Sequence, residues 1–417
     1  METKKLDYRK VKSCRISQDE EMISVLNLGY QKLTGVFPRI GDESEITSGP
    51  IELVWSSKSG LLQLAHSYDP DQMYGENYGY RSGLNQSMVT HLTNKVAYLE
   101  EFAQLSSGDT VLDIGSNDAT TLKVYSTQGV HKIGIDPTGK KFAEYYTDDI
   151  QLVPDFFTHE NYHKATQDKA KIVTSIAMFY DLDDPVKFAE EICQVLADDG
   201  IWHLEQSYMP AMLRLNSYDT ICHEHIEYYS LEVMEKIMSA AGLKIIDVTM
   251  NDINGGSFAL TCVKQSCMKY QENRAVIDWL LLQEYQMGLH TPKPFREFEE
   301  RVFKHRESLV SLIKGLVADG KKVLGYGAST KGNVVLQFCG FTAADIPAIA
   351  EVNEDKFGCM TPGTEIPIIS EKEARAMEPD YFLVLPWHFR EGILKREKEF
   401  RAKNGKFIFP FPEIEIV

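Results

Sequence analysis

One segment restricts the possible folds of this chain more than any other: a buried strand that runs into a glycine turn and then a helix. Residues 111–120 read VLDIGSNDAT, and the next apolar run ends in an acidic residue, Asp136, 23 positions after Asp113. Gly115 permits a tight turn and a close approach of a ligand to the backbone. A carboxylate such as Asp136 can accept two hydrogen bonds from ribose hydroxyls. The pattern predicts a nucleotide-type cofactor at the carboxyl edge of a parallel sheet.

The residues of the turn distinguish between possible cofactors. A dinucleotide site favours GxGxxG, which leaves backbone amides open for a pyrophosphate, whereas an aspartate, Asp118, stands in this turn and would repel phosphate. We therefore expect a cofactor with a cation and a ribose but no phosphate, namely S-adenosylmethionine. An ordinary strand–turn–helix with a surface aspartate is the alternative. The predicted cofactor-binding residues are Asp113, Gly115, Ser116, Asn117, Asp136 and, after a later strand, Met178.

The hydrophobic pattern divides the 417 residues into three segments. Residues 1–85 are rich in turn formers with short apolar runs, which predicts a small β-rich domain. Residues 86–265 alternate helical and strand patterns, which predicts βαβ units, a parallel sheet and a closing antiparallel hairpin across 254–256. Residues 266–417 begin with two long predicted helices, and a second α/β unit starts near Gly325. The predicted fold class is α/β, with a Rossmann-like central domain between the β-rich domain and a C-terminal Rossmann-like domain.

Composition and charge argue against several kinds of partner. The chain carries 44 Lys and Arg against 61 Asp and Glu, a formal charge of −17, which disfavours nucleic acid or an anionic membrane as the main ligand. The N-terminus shows no apolar segment of a secretion signal, and no window approaches the roughly 20 apolar residues of a membrane helix. Seven scattered cysteines favour a reducing cytoplasm. Both a monomer and a homodimer remain open.

Three consecutive ionisable residues, His223, Glu224 and His225, precede a helix that is predicted to start at Ser230. If this triplet is extended, the two histidines point one way and Glu224 the other. The residues alone leave three interpretations open. They are a solvated loop, a metal site built on H-x-H, and acid/base chemistry in which a carboxylate orients an imidazole.

The C-terminal unit contains a second glycine turn, residues 325–332 (GYGASTKG). Its backbone amides, together with Ser329 and Lys331, could cradle a phosphate. His388 and Arg390 follow another strand end beside two aromatic residues, a setting suited to a base and a diphosphate. We expect this domain to hold a nucleotide diphosphate, with a packing-only domain as the alternative. An NAD-dependent oxidoreductase is disfavoured, because no acidic residue stands convincingly about 20 positions later at a strand end.

Together these motifs resemble those of the sugar C-methyltransferases, which methylate a ring carbon of a nucleotide-linked deoxy-keto sugar. The resemblance implies a class I methyltransferase domain in the centre, S-adenosylmethionine as cofactor and methylation at C3 of a 4-keto-6-deoxy sugar. A small-molecule O- or N-methyltransferase is the alternative function, and a non-catalytic scaffold is a further one. The resemblance covers nearly the whole chain and rests on residues 78–82, 113–118, 204–206, 222–225, 254–257 and 325–328.

The resemblance also implies a reaction through an enolate. A ketone acidifies the neighbouring C–H, a base removes that proton, and donors hold the enolate oxygen while the carbon attacks the methyl group. It implies His225 as the base, with Glu224 orienting it or helping to hold the enolate. Family members usually have tyrosine where this chain has Cys222, so Tyr228 or another tyrosine is expected to donate instead. The candidate catalytic residues are His225, Glu224, His223, Tyr78 and Tyr80, and the candidate substrate-binding residues are Tyr180, Cys222, Tyr228, Ser329, Lys331, His388 and Arg390.

Family members further carry two C-x-x-C pairs near the N-terminus, which implies a structural zinc. In this chain the first pair reads Cys14 and Ser17, and the second reads Ser56 and Ser59. A serine hydroxyl stays protonated at neutral pH and is a poor ligand for structural zinc. We therefore expect the N-terminal domain to lack zinc and to be held by apolar packing.

Overall fold

The computed structural model describes residues 8–42, 45–69, 73 and 81–417. Two candidate catalytic residues, Tyr78 and Tyr80, lie outside these ranges, so their roles stay predictions. Within the described part, none of the helices has the length and apolar character needed to cross a membrane.

The N-terminal segment forms a two-stranded antiparallel sheet and most of a four-stranded one, in agreement with the β-rich prediction. The four-stranded sheet buries Leu53 and Trp55, which belong to a core shared with the C-terminal half of the chain. A two-residue strand from much later in the sequence, Glu227–Tyr228, pairs with the edge of this sheet. The strands are β1 (Tyr8–Lys10), β2 (Met22–Lys32), β3 (Ser48–Ser56), β4 (Leu62–Leu64) and β5 (His66–Tyr68).

The central segment forms a seven-stranded sheet with the order β12-β13-β10-β9-β6-β7-β8. Five strands are parallel, as the alternating pattern predicts, and the last hairpin is antiparallel. The strand order reverses between β6 and β9, which opens a crevice at their carboxyl ends. The strands are β6 (Thr110–Ile114), β7 (His131–Ile135), β8 (Ile150–Val153), β9 (Ala170–Ile176), β10 (Leu196–Ser207), β11 (Glu227–Tyr228, in the N-terminal sheet), β12 (Leu243–Asn251) and β13 (Ser257–Lys264).

Helices flank this sheet on both faces and bury apolar stripes against it. The helix after the His-Glu-His triplet begins at Leu231, and the Ser230 hydroxyl accepts a hydrogen bond from the Val233 amide, so the predicted N-cap is confirmed. The helices are α1 (Gln86–Ala103), α2 (Thr120–Lys123), α3 (His159–Ala165), α4 (Pro185–Val195), α5 (Met209–Leu215) and α6 (Leu231–Ala240).

The C-terminal segment contains a six-stranded sheet with the order β16-β15-β14-β17-β18-β19. Glu351 ends β15, and its carboxylate accepts a hydrogen bond from the Ala328 amide of the second glycine turn at 2.7 Å. The expectation that no acidic residue stands at such a strand end was therefore wrong, and two further backbone amides, those of Val352 and Asn353, also donate to this carboxylate. The strands are β14 (Val323–Tyr326), β15 (Ile349–Glu351), β16 (Ile368–Ser370), β17 (Tyr381–Val384), β18 (Lys406–Phe409) and β19 (Glu415–Ile416).

Two long helices connect the parts of the molecule. The first packs Ile277 and Leu280 into the core of the central sheet. The second carries Phe295, whose ring centroid lies 5.6 Å from that of Trp55 in the N-terminal sheet. The three segments are thus joined through shared apolar cores. The C-terminal helices are α7 (Arg274–Gln286), α8 (Lys293–Ala318), α9 (Thr330–Cys339), α10 (Glu371–Ala376), α11 (Arg390–Arg396) and α12 (Lys398–Ala402).

Candidate active site

The glycine turn after β6 has the geometry of a close-approach site. Gly115 has φ +72°, and a Cβ placed there would lie 3.2 Å from Cγ of Met178. Asn117 and Ala119 also have positive φ, at 49° and 60°. Positive φ disfavours an ordinary side chain, so the requirement for glycine at position 115 comes both from the backbone and from the neighbouring methionine.

A cavity of about 320 Å³ opens beside this turn, at the carboxyl ends of the parallel strands. It is the place where open α/β sheets bind their ligands. All six predicted cofactor-binding residues line it: Asp113, Gly115, Ser116, Asn117, Asp136 and Met178.

Asp136 connects the glycine turn to the turn that follows β7. One carboxylate oxygen accepts a hydrogen bond from the Asn117 amide at 2.7 Å, and the other accepts two from Thr138 at 2.6 Å. A carboxylate offers about four acceptor positions, so capacity for a ribose hydroxyl remains. The deeper Asp113 is buried, and burial raises the pKa of its carboxyl to about 7 although the Thr174 hydroxyl donates to it at 2.6 Å.

Asp118 has a different role from the one expected of it. Its carboxylate accepts hydrogen bonds from the Gly83 amide at 3.0 Å and the Thr120 hydroxyl at 2.5 Å. The neighbouring Asn117 side chain accepts from the Ser82 amide at 3.0 Å. The cofactor turn thus holds residues 82–83 against the cavity, which Ser82 lines.

The floor of the cavity contains a charged group that the sequence did not single out as a site residue. Glu205 is 2% exposed, and its carboxylate contacts His91 at 2.7 Å, Lys95 at 2.8 Å and Asn251 at 2.8 Å. Burial acts to raise the pKa of Glu205, but the hydrogen bonds and charges of His91 and Lys95 outweigh it and lower the pKa to about 2. The sequence signals for this group are the motif at residues 204–206 and the i,i+4 spacing of His91 and Lys95 on α1.

His225 has an orientation suited to a base. Its Nδ1 lies 2.9 Å from the carbonyl oxygen of Thr220. A carbonyl only accepts, so Nδ1 carries the hydrogen and Nε2 keeps a lone pair. Burial, with the positive charge of Lys331 as a second cause, lowers the pKa of His225 to about 3. The imidazole is therefore neutral near pH 7.

A second, small cavity of about 10 Å³ adjoins His225 and is separate from the large one. The Tyr180 ring centroid lies 4.2 Å from that of the imidazole. Tyr228 also lines this cavity, and its hydroxyl is buried without a hydrogen-bond partner among the described residues. A neutral imidazole and an unused phenolic donor therefore share one small space.

The other members of the triplet lie elsewhere. Residues 223–224 form a bend, so the extended geometry that would align the two histidines was wrong. His223 is fully buried and packs edge-on against Tyr68 at 4.6 Å between ring centroids. Glu224 is buried beside Gly35 and Cys222, and burial raises the pKa of its carboxyl. The group that orients His225 is Thr220, not Glu224.

Four predicted substrate-binding residues belong to the C-terminal segment, and they do not form one group. The Lys331 ammonium donates to the Asn254 carbonyl at 2.9 Å. The Ser329 hydroxyl caps α9, where it accepts from the Gly332 amide at 3.0 Å. His388 has a buried Nδ1 without a partner in the described part of the chain. The Arg390 guanidinium instead donates two hydrogen bonds to Glu415, each 2.7 Å long.

The four positions that correspond to zinc ligands are neighbours in space. The Cys14 thiol lies 3.1 Å from the Ser59 hydroxyl, and the Ser59 amide lies 3.4 Å from the Ser56 hydroxyl. Burial acts to raise the pKa of the Cys14 thiol, but hydrogen bonds from Ser17 and Ser59 lower it on balance. One thiol and three hydroxyls do not fit a structural zinc. In the ranges that the structure describes, no group of three His, Cys, Asp or Glu side chains is placed to hold a metal.

Arg15 fixes the loop that carries these positions. Its guanidinium is 5% exposed and donates to the Leu64 carbonyl at 3.1 Å and the Ser67 hydroxyl at 2.8 Å. It also lies 3.5 Å from the Asp183 carboxylate of the central segment. Hydrogen bonds from a buried cation therefore tie this loop to its surroundings.

Known proteins match the whole length of the chain. Family models match at residues 14–74 (a zinc binding domain), 89–248 (a methyltransferase domain) and 252–412 (a C-methyltransferase C-terminal domain). The C-methyltransferase NovU of Streptomyces niveus is 31% identical over 414 residues, which are 98% of this chain and 97% of that protein.

Among solved structures the similarity is confined to part of the chain. The magnesium protoporphyrin IX methyltransferase of Synechocystis PCC 6803 with bound SAH is 13% identical, with a TM-score of 0.33, and covers 43% of this chain and 88% of its own. An S-adenosylmethionine-dependent methyltransferase from Clostridium acetobutylicum ATCC 824 is 11% identical, with a TM-score of 0.33, and covers 42% of this chain and 92% of its own.

Proposed function

The chain belongs to the S-adenosylmethionine-dependent C-methyltransferases, and from this premise we propose that it methylates C3 of a nucleotide-linked 4-keto-6-deoxy sugar through an enolate, with His225 as the base. One observation carries the proposal. The neutral His225 keeps a free Nε2 and shares a small cavity with the unpartnered hydroxyl of Tyr228. Carbon methylation next to a ketone needs this combination of an acceptor for a proton and a donor for an oxygen.

His225 takes the proton from the sugar carbon at Nε2. The Thr220 carbonyl, 2.9 Å from Nδ1, holds the ring in the tautomer that leaves Nε2 free. It also stabilises the imidazolium once the proton has been transferred, because Nδ1 stays hydrogen-bonded. No rotation of the ring is needed between the two protonation states.

The enolate oxygen needs a donor, for which we propose Tyr228, which lines the cavity at His225, with Glu224, the preceding residue in the sequence, as a second candidate. Tyr228 has an unused hydroxyl, and burial raises its pKa well above the ordinary value, so it stays protonated. Burial also raises the pKa of Glu224. This favours a neutral carboxyl, which can donate a hydrogen bond, over a carboxylate, which would repel an enolate. The thiol of Cys222 is the weakest donor of the three.

The residues of the large cavity fit S-adenosylmethionine, which supplies the electrophilic methyl group when bound. Asp136 is positioned for the ribose hydroxyls, and Gly115 allows the ligand to lie against the backbone. For the nucleotide of the substrate we propose Lys331 and His388. Lys331 contributes to the lowered pKa values of both histidines, which places its charge near them.

The proposal is tested by incubating the protein with S-adenosylmethionine and nucleotide-linked 4-keto-6-deoxy sugars. The expected product gains a methyl group that NMR assigns to C3 and that resists acid and base. In D₂O, deuterium is expected at C3 of unreacted sugar when S-adenosylhomocysteine replaces the methyl donor. A methyl group on oxygen or nitrogen, or the absence of exchange, would contradict the proposal.

For the N-terminal domain we propose folding without zinc. Elemental analysis of the purified protein is expected to find substoichiometric zinc, and EDTA is expected to move the melting temperature by less than about 2 °C. The matched variant Ser17→Cys/Ser56→Cys/Ser59→Cys restores four thiols and is expected to bind one zinc ion and to melt higher with it. One zinc per chain in the unaltered protein would contradict the proposal.

A further inference from the structure

We infer that Trp387 and Asp219 are positioning residues through which the C-terminal domain holds His225 in its reactive tautomer, an assignment that rests on the proposed function of His225. Trp387 is one of the two aromatic residues that flank His388 in the C-terminal motif, Asp219 belongs to no motif, and neither residue lines the two cavities described above. Their effect passes through the short turn Tyr218–Thr220, which precedes the His-Glu-His triplet.

Trp387 and Asp219 are joined by a buried hydrogen bond between the two domains. The indole Nε1–H of Trp387 donates to Oδ2 of Asp219 at 2.9 Å. Asp219 is 1% exposed, and its other oxygen has no hydrogen-bond partner among the residues described. The hydrogen bond from Trp387 and the charge of Lys331 are the side-chain interactions that keep this carboxyl in place.

Two of the three residues of the turn are held by the C-terminal half of the chain. Tyr218 is fully buried, its hydroxyl lies 3.1 Å from Nδ1 of His305, and its ring centroid lies 5.0 Å from that of Phe411. Asp219 is held by Trp387. Thr220 then presents its carbonyl oxygen to His225 Nδ1. A turn that rotated would withdraw this acceptor, and the imidazole would lose the bond that selects its tautomer.

The indole also packs on the hairpin that borders the large cavity. A Cβ at Gly255 would lie 3.1 Å from Cζ2 of Trp387, and the adjacent Asn254 accepts the hydrogen bond from Lys331. Trp387 and Lys331, which starts α9 with Thr330, therefore hold the same hairpin from two separate elements of the C-terminal domain. Asn254 lines the cofactor cavity, so this contact links the C-terminal domain to both halves of the proposed site.

The variant Trp387→Phe tests the assignment, because it keeps an aromatic ring on the hairpin and removes the N–H donor. We expect kcat to fall by about 10²-fold, the size of effect that a small misplacement of a reacting group can have. The KM for the sugar nucleotide and the affinity for S-adenosylhomocysteine are expected to change less than about twofold. Trp279→Phe is the matched control, since Trp279 is 58% exposed on α7 and away from the site.

A spectroscopic measurement separates positioning from a general loss of structure. Long-range ¹H–¹⁵N spectra of the holoenzyme are expected to show His225 with its hydrogen on Nδ1 in the unaltered protein, and a mixture of tautomers in Trp387→Phe. Asp219→Asn keeps an acceptor for the indole, so it is expected to retain the Nδ1–H tautomer and most of kcat, whereas Asp219→Ala is expected to lose both.

The pH dependence of kcat is a second measurement, and it depends on the charged and titratable groups around His225. Protonation of His225 is opposed by burial and by the charge of Lys331, and Trp387→Phe leaves that charge in place. We therefore expect kcat to fall without a new acid limb near pH 6.5. The titratable groups that lie near the imidazole are Tyr180, Cys222, Glu224, Glu227, Tyr228 and Lys331.

Two outcomes would overturn the assignment. Unchanged kcat with an unchanged tautomer in Trp387→Phe would show that the bond to Asp219 does not orient His225. A raised KM for the sugar nucleotide at constant kcat would make Trp387 a binding residue instead. If His225 proves not to be the base, the tautomer measurement still reports whether the two domains are coupled, so failure of the proposed function can be distinguished.

Discussion

His225→Gln is expected to lower kcat by about 10²–10⁴-fold, the contribution usually made by a positioned general base. Glutamine keeps a polar side chain but cannot take a proton near neutral pH. The affinity for S-adenosylhomocysteine is expected to stay the same, because His225 does not line the cofactor cavity. Steady-state kinetics and isothermal titration with S-adenosylhomocysteine measure the two quantities separately.

The proton transfer itself can be followed without methyl transfer. In D₂O the unaltered protein is expected to exchange the C3 hydrogen of the sugar, and His225→Gln is expected to lose this exchange. His223→Gln provides the comparison, because it changes the same residue type two positions away, where the ring packs on Tyr68. Exchange that survived in His225→Gln and disappeared in His223→Gln would transfer the role of base to His223.

The pH dependence of the reaction follows from the same geometry. Burial and Lys331 lower the pKa of His225 to about 3, so the fraction of neutral imidazole does not fall as the pH decreases through 6.5, the ordinary value for histidine. We expect kcat/KM to lack an acid limb near pH 6.5 over the range in which the protein stays folded. An acid limb centred there would mean that the ring is more exposed to water during turnover than in this structure.

The fold could be predicted where the information is local. The apolar run Thr110–Ile114, the glycine after it and the aspartate at the next strand end specify one βαβ unit within 30 residues, and the structure has that unit in place. The four-residue strand Ile150–Val153 was not predicted, because half of its residues are only partly buried and its apolar pattern is weak. The addition of Glu227–Tyr228 to the N-terminal sheet had no local signal either, since a two-residue strand exists only through its partner.

The candidate site likewise has a part that the sequence could predict and a part that it could not. The cofactor-binding residues lie on contiguous motifs, and all six line one cavity. The ring of His225 is oriented by the backbone carbonyl of Thr220. Every residue type has a backbone carbonyl, so the sequence gives no sign of this contact. The bond between Asp219 and Trp387 joins residues 168 positions apart, and a pattern in one sequence does not reveal such a pair. Sequence could therefore nominate His225 as the proposed base, and tertiary structure supplies the contacts that orient its ring.

Gly115→Val is expected to weaken the binding of S-adenosylhomocysteine by at least about 100-fold, which corresponds to about 2.8 kcal/mol. Two effects add. A β-branched residue at φ +72° is a conformational outlier, and its Cβ would already lie 3.2 Å from the Met178 side chain before the two γ-methyl groups are counted. Either the turn shifts away from Asp136 or the new methyl groups enter the cavity, and both changes remove cofactor contacts.

Gly108→Val separates backbone strain from loss of the site. Gly108 also has positive φ, at 89°, but a Cβ there would meet nothing within 4 Å, and it does not line the cavity. Both variants are therefore expected to melt at a lower temperature, while Gly108→Val keeps its affinity for S-adenosylhomocysteine. Equal affinities in the two variants would mean that the ligand does not lie against the turn at residue 115. The cofactor would then have to be placed elsewhere along the carboxyl edge of the sheet.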